Sequence, residues 1–268
     1  MQTVTFLNQK GGVGKSSCTH HLGGALALSG RRVLIVDADP QGSLTQGLFG
    51  PEAIHAIDPA VTVSAVLRGE DPFPASVVHP TVVSGLDLIP GGPASQKANV
   101  LEPWALDCTA QLRLASVLGE LAPRYDVCLI DCPPTFQGCS WAALAASDAV
   151  VVPLQPEDYG AQGISGVQGW MADAREAINP RLRLAGYLIT MWNSRLSIHQ
   201  LYDELLRSTY GADVFSTKVP YAADFKEAIA KRVPIGIYKP KGASAKVIKA
   251  LGDELLARLD RSVGEEAA

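Results

Sequence analysis

The stretch QKGGVGKSS, residues 9–17, most constrains what this chain can become. Before it lies TVTFL (residues 3–7), a short β-branched apolar run that reads as a buried strand. After it, SSCTHHLGGALALSG has no proline, places apolar residues at helical spacing and closes on Gly30. Strand, glycine loop and helix therefore follow without a gap, the setting of the phosphate-binding pattern G-x-x-x-x-G-K-[ST]. The match lacks only the opening glycine, which is Gln9, and Lys10 fills the next slot. Gly11, Gly12 and Gly14 let the main chain approach an anion closely. Its N–H groups then converge on phosphates, helped by the positive end of the helix. Lys15 is placed to meet the outer phosphates and Ser16 to coordinate Mg²⁺. Lys10 is a second lysine in a loop that needs one.

The rest of the 268-residue chain is compatible with a large α/β domain: 47% of residues are hydrophobic and 19% charged. With no long apolar run and no leader-like start, a cytoplasmic location is expected. Cys18, Cys108, Cys128, Cys132 and Cys139 show no C-x-x-C pair and no metal-ligand spacing with histidine, so free thiols are expected. A net charge of −4 gives no global argument for nucleic acid, but residues 214–249 hold eight basic residues against Asp224 and Glu227.

Strand-like runs at 3–7, 32–36, 86–89, 126–130, 149–154 and 184–190 alternate with helical runs at 15–29, 109–121, 161–178, 197–209, 223–231 and 243–260. This order predicts a doubly wound, mostly parallel sheet with helices on both faces, in one domain spanning 1–268. The last helix carries an apolar stripe and ends in the acidic GEEAA, which suits packing on the sheet better than lying on a membrane. Residues 49–60 and 69–84, rich in Pro, Gly and Asp, read as surface excursions.

Two apolar runs end in acids: VLIVDADPQGS delivers Asp37 and Asp39, and YDVCLIDCPP delivers Asp131. Open α/β sheets bind ligands at these carboxyl ends. Beside a phosphate loop, such acids suit a magnesium hydration shell and an attacking water.

Together these pieces resemble the ParA family of partition ATPases, within the deviant-Walker group of P-loop NTPases. The similarity extends over KGGVGKSS (10–17), DADPQGS (37–43), YDVCLIDCPP (125–134), SDAVVVPLQPEDYGAQGI (147–164), GYLITMWNSR (186–195) and the stretch 219–248. The resemblance implies ATP and Mg²⁺ as ligands, and the short form without an N-terminal helix-turn-helix domain. It implies an ATP-bound homodimer in which Lys10 reaches phosphates held by the other subunit. Gly11, Gly12, Val13, Gly14, Lys15, Ser16 and Ser17 match the nucleotide loop; Lys10, Lys15 and Asp39 match catalytic positions, Asp39 positioning water. Ser16, Asp37 and Asp131 match positions around magnesium, while Asn193 and Pro220 match base-contacting positions. Partners implied are nonspecific duplex DNA on the nucleoid and a ParB-like stimulator, with no stable membrane association. Arg195, Lys226, Lys231, Arg232, Lys239, Lys241 and Lys246 are the basic residues available to DNA phosphates. The sequence departs from the family at Pro220-Tyr221-Ala222, where relatives carry Pro-Arg-Asn or Pro-Arg-Asp, and at Asp224, where a basic residue is usual. Alternatives are positioning of a protein cargo on the nucleoid, a MinD-like membrane switch, and a metal-carrier ATPase.

Overall fold

The computed structural model describes residues 1–156 and 160–265. Residues 157–159, within the stretch 147–164, and 266–268, within the acidic terminus, lie outside the described residues. Among the described residues, seven strands form one sheet: β1 (Gln2–Phe6), β2 (Val33–Asp37), β3 (His79–Pro80), β4 (Leu86–Ile89), β5 (Val127–Asp131), β6 (Ala149–Leu154) and β7 (Arg183–Ile189). Their order is β3-β4-β2-β5-β1-β6-β7. All pairings are parallel except the two-residue edge strand β3 against β4. Strands β2, β5 and β6 are buried at every residue, which explains why they read as unbroken apolar runs.

The helices are α1 (Lys15–Leu28), α2 (Ser43–Phe49), α3 (Ala53–Ala56), α4 (Val63–Arg68), α5 (Cys108–Leu121), α6 (Gly138–Ala145), α7 (Gly160–Ala177), α8 (Ser197–Tyr210), α9 (Ala223–Ala230), α10 (Ile235–Tyr238) and α11 (Ala243–Glu265). The side chains of each strand divide between two cores. Leu34, Val36, Cys128 and Ile130 face Leu114, Trp141, Val167 and Leu206 of α5 to α8. Val33, Ile35, Val127 and Leu129 face Leu22, Leu26, Phe225, Ile248, Leu251 and Leu255 of α1, α9 and α11. Helices thus cover both faces, as the alternating pattern predicts. The apolar stripe of α11 is spent on the sheet, with Ile248, Leu251, Leu255 and Leu259 at most 1% exposed. Among the described residues no helix is long and apolar enough to cross a membrane.

The segment 69–84 differs from the expected surface excursion. It buries Val77 and Val83 and supplies β3, the antiparallel edge. Two residues of strand are too short to carry an alternating pattern.

Candidate functional site

The loop after β1 and the start of α1 build the floor of a cavity of about 470 Å³. Gly12 (φ 77°) and Gly14 (φ 88°) lie in the left-handed region, so these two glycines are set by backbone conformation. Gly11 does not share that conformation; a side chain there would meet nothing within 4 Å, so the space above it is open. Asn8 orders the loop: its Nδ2 donates to the Pro153 carbonyl (2.7 Å) and its Oδ1 accepts the Lys10 N–H (2.8 Å). Lys10 is thereby fixed by its backbone at the loop's mouth. Lys15 folds back over the loop, its Nζ donating to the carbonyls of Asn8 (3.0 Å) and Lys10 (3.2 Å). Burial lowers its pKa, opposed by the charges of Asp131, Cys132 and Asp39.

Parallel registry aligns Asp37 with Asp131 and Asp131 with Phe6, so the acids stand at the carboxyl ends of adjacent central strands. Asp37 is fully buried, and its Oδ2 accepts both the N–H and the hydroxyl of Thr45 at 2.7 Å. Burial raises its pKa to about 7, against those hydrogen bonds. Gly91 closes over it: a Cβ there would lie 2.1 Å from the Asp37 carbonyl oxygen, so no larger residue fits. Asp39 lines the cavity and its Oδ1 accepts the Gln41 N–H (2.9 Å); burial raises its pKa too. Asp131 is the most exposed to electrostatic penalty. Both carboxylate oxygens are buried without a hydrogen-bond partner of good geometry. Burial and then Asp37 push its pKa well up, and the nearby Ser16 hydroxyl opposes this without cancelling it.

Asp131 and Asp39 act on the one buried lysine, and Asp37 acts on Asp131, so the buried acids outnumber the cation set among them. Unpartnered Asp131 oxygens near the Ser16 hydroxyl fit a divalent cation. Among the described residues no group of three or more His, Cys, Asp or Glu side chains is disposed to hold a metal alone. A magnesium ion here would draw its other ligands from phosphate and water, as such ions commonly do. The free-thiol expectation agrees with the structure, which has five free cysteines.

Asn193 and Pro220, the positions the resemblance implies for base contact, are brought together less completely. Trp192 pairs with Pro220, so Asn193 and Pro220 sit side by side beyond β7. Asn193 is exposed and its Oδ1 accepts the Arg195 N–H (3.0 Å). Neither residue lines the cavity; Met191, Ile229, His20 and Gly47 do. Met191 and Ile229 lie inside the stretches 186–195 and 219–248 without a feature that marks them, and His20 and Gly47 lie outside every such stretch. His20, one helical turn after Ser16, is buried with neither ring nitrogen well partnered, and burial lowers its pKa to about 4.

The candidate DNA residues fall into different environments. Arg195, Lys231, Lys241 and Lys246 are exposed. Lys226 lies over the Tyr221 ring at 5.4 Å, and Arg232 packs against Gly50. Lys239 is engaged by Asp224 and by Glu227 (3.0 Å). The acid at position 224 thus also occupies a neighbouring lysine.

Phosphate loop, doubly wound sheet and strand-end acids define the class of P-loop ATPases. Residues 1–184 match the family model described as AAA domain. The chromosome-partitioning ATPase Soj of Thermus thermophilus is 35% identical over 265 residues, covering 98% of both chains. The chromosome partitioning protein ParA of Myxococcus xanthus is 35% identical, covering 95% of this chain and 88% of its own. A Mycobacterium smegmatis structure with ADP and magnesium, described as cobyrinic acid a,c-diamide synthase, has a TM-score of 0.81 at 27% identity, covering 97% of this chain and 96% of its own. The Cyanothece McdA(D38A)–ATP complex has a TM-score of 0.82 at 21% identity, covering 96% of each, a likeness of fold alone. The chain belongs to the ParA/Soj family of P-loop ATPases.

Proposed function

We propose that this chain is a Mg²⁺-dependent ATPase, acting as one domain over residues 1–268, that dimerises on ATP and then holds duplex DNA without regard to sequence. Hydrolysis, prompted by a ParB-like partner, releases it, and the cycle serves plasmid or chromosome partition on the nucleoid in the cytoplasm. The observation that carries this reading is the convergence of a phosphate loop, Lys15 and Asp39 on one cavity, with Asp37 and Asp131 buried in register at the ends of the adjacent strands β2 and β5. It is supported by relatives named for chromosome partition that are similar over nearly their whole length.

In this reading the N–H groups of residues 11–17 bind the phosphates, and Lys15 leaves the Asn8 and Lys10 carbonyls to meet them. Ser16, Asp37 and Asp131 would hold Mg²⁺, which when bound neutralises charge on the phosphates. Asp39, anchored through one oxygen by Gln41, orients water with the other. Among the described residues no strong base accompanies it, which makes unassisted turnover slow. Lys10 meets phosphates of the opposing subunit, so nucleotide joins the two copies. Asn193 and Pro220 contact the base, with Met191 and Ile229 beside it. Arg195, Lys226, Lys231, Arg232, Lys241 and Lys246 supply phosphate contacts to DNA, with Lys239 held in reserve by Asp224.

The test is binding to random-sequence duplex DNA with ATP, ADP or no nucleotide over a salt series. Binding confined to ATP and falling steeply with salt is expected. Equal binding in all three states would overturn the switch, and none in any state would overturn the DNA partner.

A further inference from the structure

A second cavity, of about 530 Å³, lies away from the phosphate loop, between α7 and the segment before α5. Its walls are the side chains of Trp104 and Trp141, and its rim carries Asp173 and Glu176 of α7. Helical spacing puts Trp170, Asp173 and Ala177 along one face of α7, with Glu176 beside them. The aromatic wall is built rather than incidental. The Trp141 indole N–H donates to Gln111 Oε1 (2.7 Å), and Gln111 Nε2 donates to the Leu106 carbonyl (2.7 Å), tying the segment around Trp104 to the core. Trp141 is 2% exposed, whereas Trp104 is 52% exposed. Among the described residues, neither Asp173 nor Glu176 has an ion-pair partner.

Aromatic faces with carboxylates at the rim attract cations twice, through the ring quadrupoles and through opposite charge. Nucleic acid is disfavoured, because its phosphates would meet the carboxylates. A small free cation would leave the surroundings unused: Leu101 (73% exposed) and Leu106 (41% exposed) are further exposed apolar side chains on the same segment as Trp104. We propose that this cavity docks an arginine or lysine side chain from a basic, extended segment of a protein partner, whose adjoining apolar residues cover Leu101 and Leu106.

The site also has a physical route to the phosphate loop's surroundings. Trp104 meets Trp170 edge-on at 6.3 Å, and Trp170 stacks on Phe136 at 4.9 Å, five residues after Asp131. From the same side, Asn99 Nδ2 donates to Gln137 Oε1 (2.7 Å), and the Gly138 N–H donates to the Val100 carbonyl (2.9 Å). A segment seated on Trp104 therefore touches elements joined to the loop that follows β5.

The probe is a labelled, end-capped peptide alternating arginine and leucine, titrated onto the full chain without nucleotide. Binding is read by anisotropy and tryptophan emission, so the result stands apart from the ATPase reading. Saturable binding is expected, with emission changed. Trp104→Ala and the pair Asp173→Asn, Glu176→Gln should each weaken it about tenfold, while Trp104→Tyr, which keeps a ring face, should retain most of it. Far-ultraviolet circular dichroism verifies that each variant is folded. Equal affinity for all variants, or no binding by the parent, would overturn the proposal. So would spermidine displacing the peptide at equal charge concentration, which would make this a small-cation site.

Discussion

At the scale of single residues, the site is governed by what burial does to charge. Asp131 is opposed in its burial only by Ser16 and the charge of Lys15, which do not cancel the penalty, so its carboxylate is held at a cost in the ligand-free protein. Asp131→Asn should therefore raise stability without ligand while removing the extra stabilisation that Mg²⁺ adds to nucleotide. Thermal melts with nucleotide, with and without Mg²⁺, test this. A variant that melts lower than the parent without ligand, or keeps the Mg²⁺ increment, refutes the assignment. His20 and His21 follow the opposite sign. Burial lowers their pKa values to about 4 and about 3, so both are neutral in the folded chain. An unfolded histidine gains its proton below about 6.5, so the stability due to neutral burial is present above that pH and lost as pH falls towards 4. Asp37, raised to about 7, acts the other way over much of this range, so the total profile is shallow. The comparison that isolates the histidine is His20→Leu against parent. From pH 7.5 to pH 5 the variant should gain about 2 kcal/mol relative to the parent. An unchanged difference in denaturation midpoint would mean that His20 is not buried as an imidazole.

At the scale of elements, the ends of the strands matter most. Thr45 on α2 carries Asp37 through two hydrogen bonds and accepts the Gly91 N–H (2.9 Å), so α2, β2 and the turn after β4 meet at one hydroxyl. The α9–α10 region is organised by Asp224, which engages Lys239 and accepts from Ser244. Asp224→Asn should release part of Lys239's charge to the surface. In the ATP state, DNA binding should then tighten, and the slope of log affinity against log salt should steepen by about one. Fluorescence anisotropy at several salt concentrations checks this; an unchanged slope would put Lys239 outside the DNA path. These elements were unevenly legible in the sequence. The long helices and six parallel strands announce themselves by period and by apolar runs. α2 has seven residues opening on Gly42, and α6 is buried at all eight, so neither shows a one-sided stripe. The phosphate loop and the acids were readable because each is contiguous at a strand end. The rest of the cavity wall was not, because Met191, Ile229, His20 and Gly47 come singly from four segments and meet only in the folded chain.

At the scale of the whole molecule, the sheet places Lys10 and Asp39 at one opening but gives them separable tasks. Asp39 is seated over the cavity of its own subunit, held by the Gln41 N–H. Lys10 is fixed by its backbone at the loop's mouth, and its carbonyl, not its ammonium, meets Lys15. If Lys10 serves the opposite subunit, Lys10→Ala leaves each monomer able to bind nucleotide and removes two cations from the dimer, one across each nucleotide. A loss of about 1 kcal/mol for each contact would shift the dimer dissociation constant about thirtyfold, since 1.4 kcal/mol is a factor of ten. Asp39→Ala should do the reverse: ATP binds, hydrolysis slows, and the dimer accumulates because its glue is not consumed. Sedimentation with ATP, alongside binding of a fluorescent ATP analogue, separates the two. Lys10→Ala must stay monomeric at concentrations where the parent dimerises, yet bind the analogue at parental affinity. Asp39→Ala must remain dimeric long after the parent has exhausted its ATP. A Lys10 variant that dimerises like the parent removes the cross-subunit role, and an Asp39 variant that turns over like the parent removes the water-positioning role. Either result would leave the fold and its phosphate loop unchanged, because neither side chain contributes to the two cores that hold the sheet.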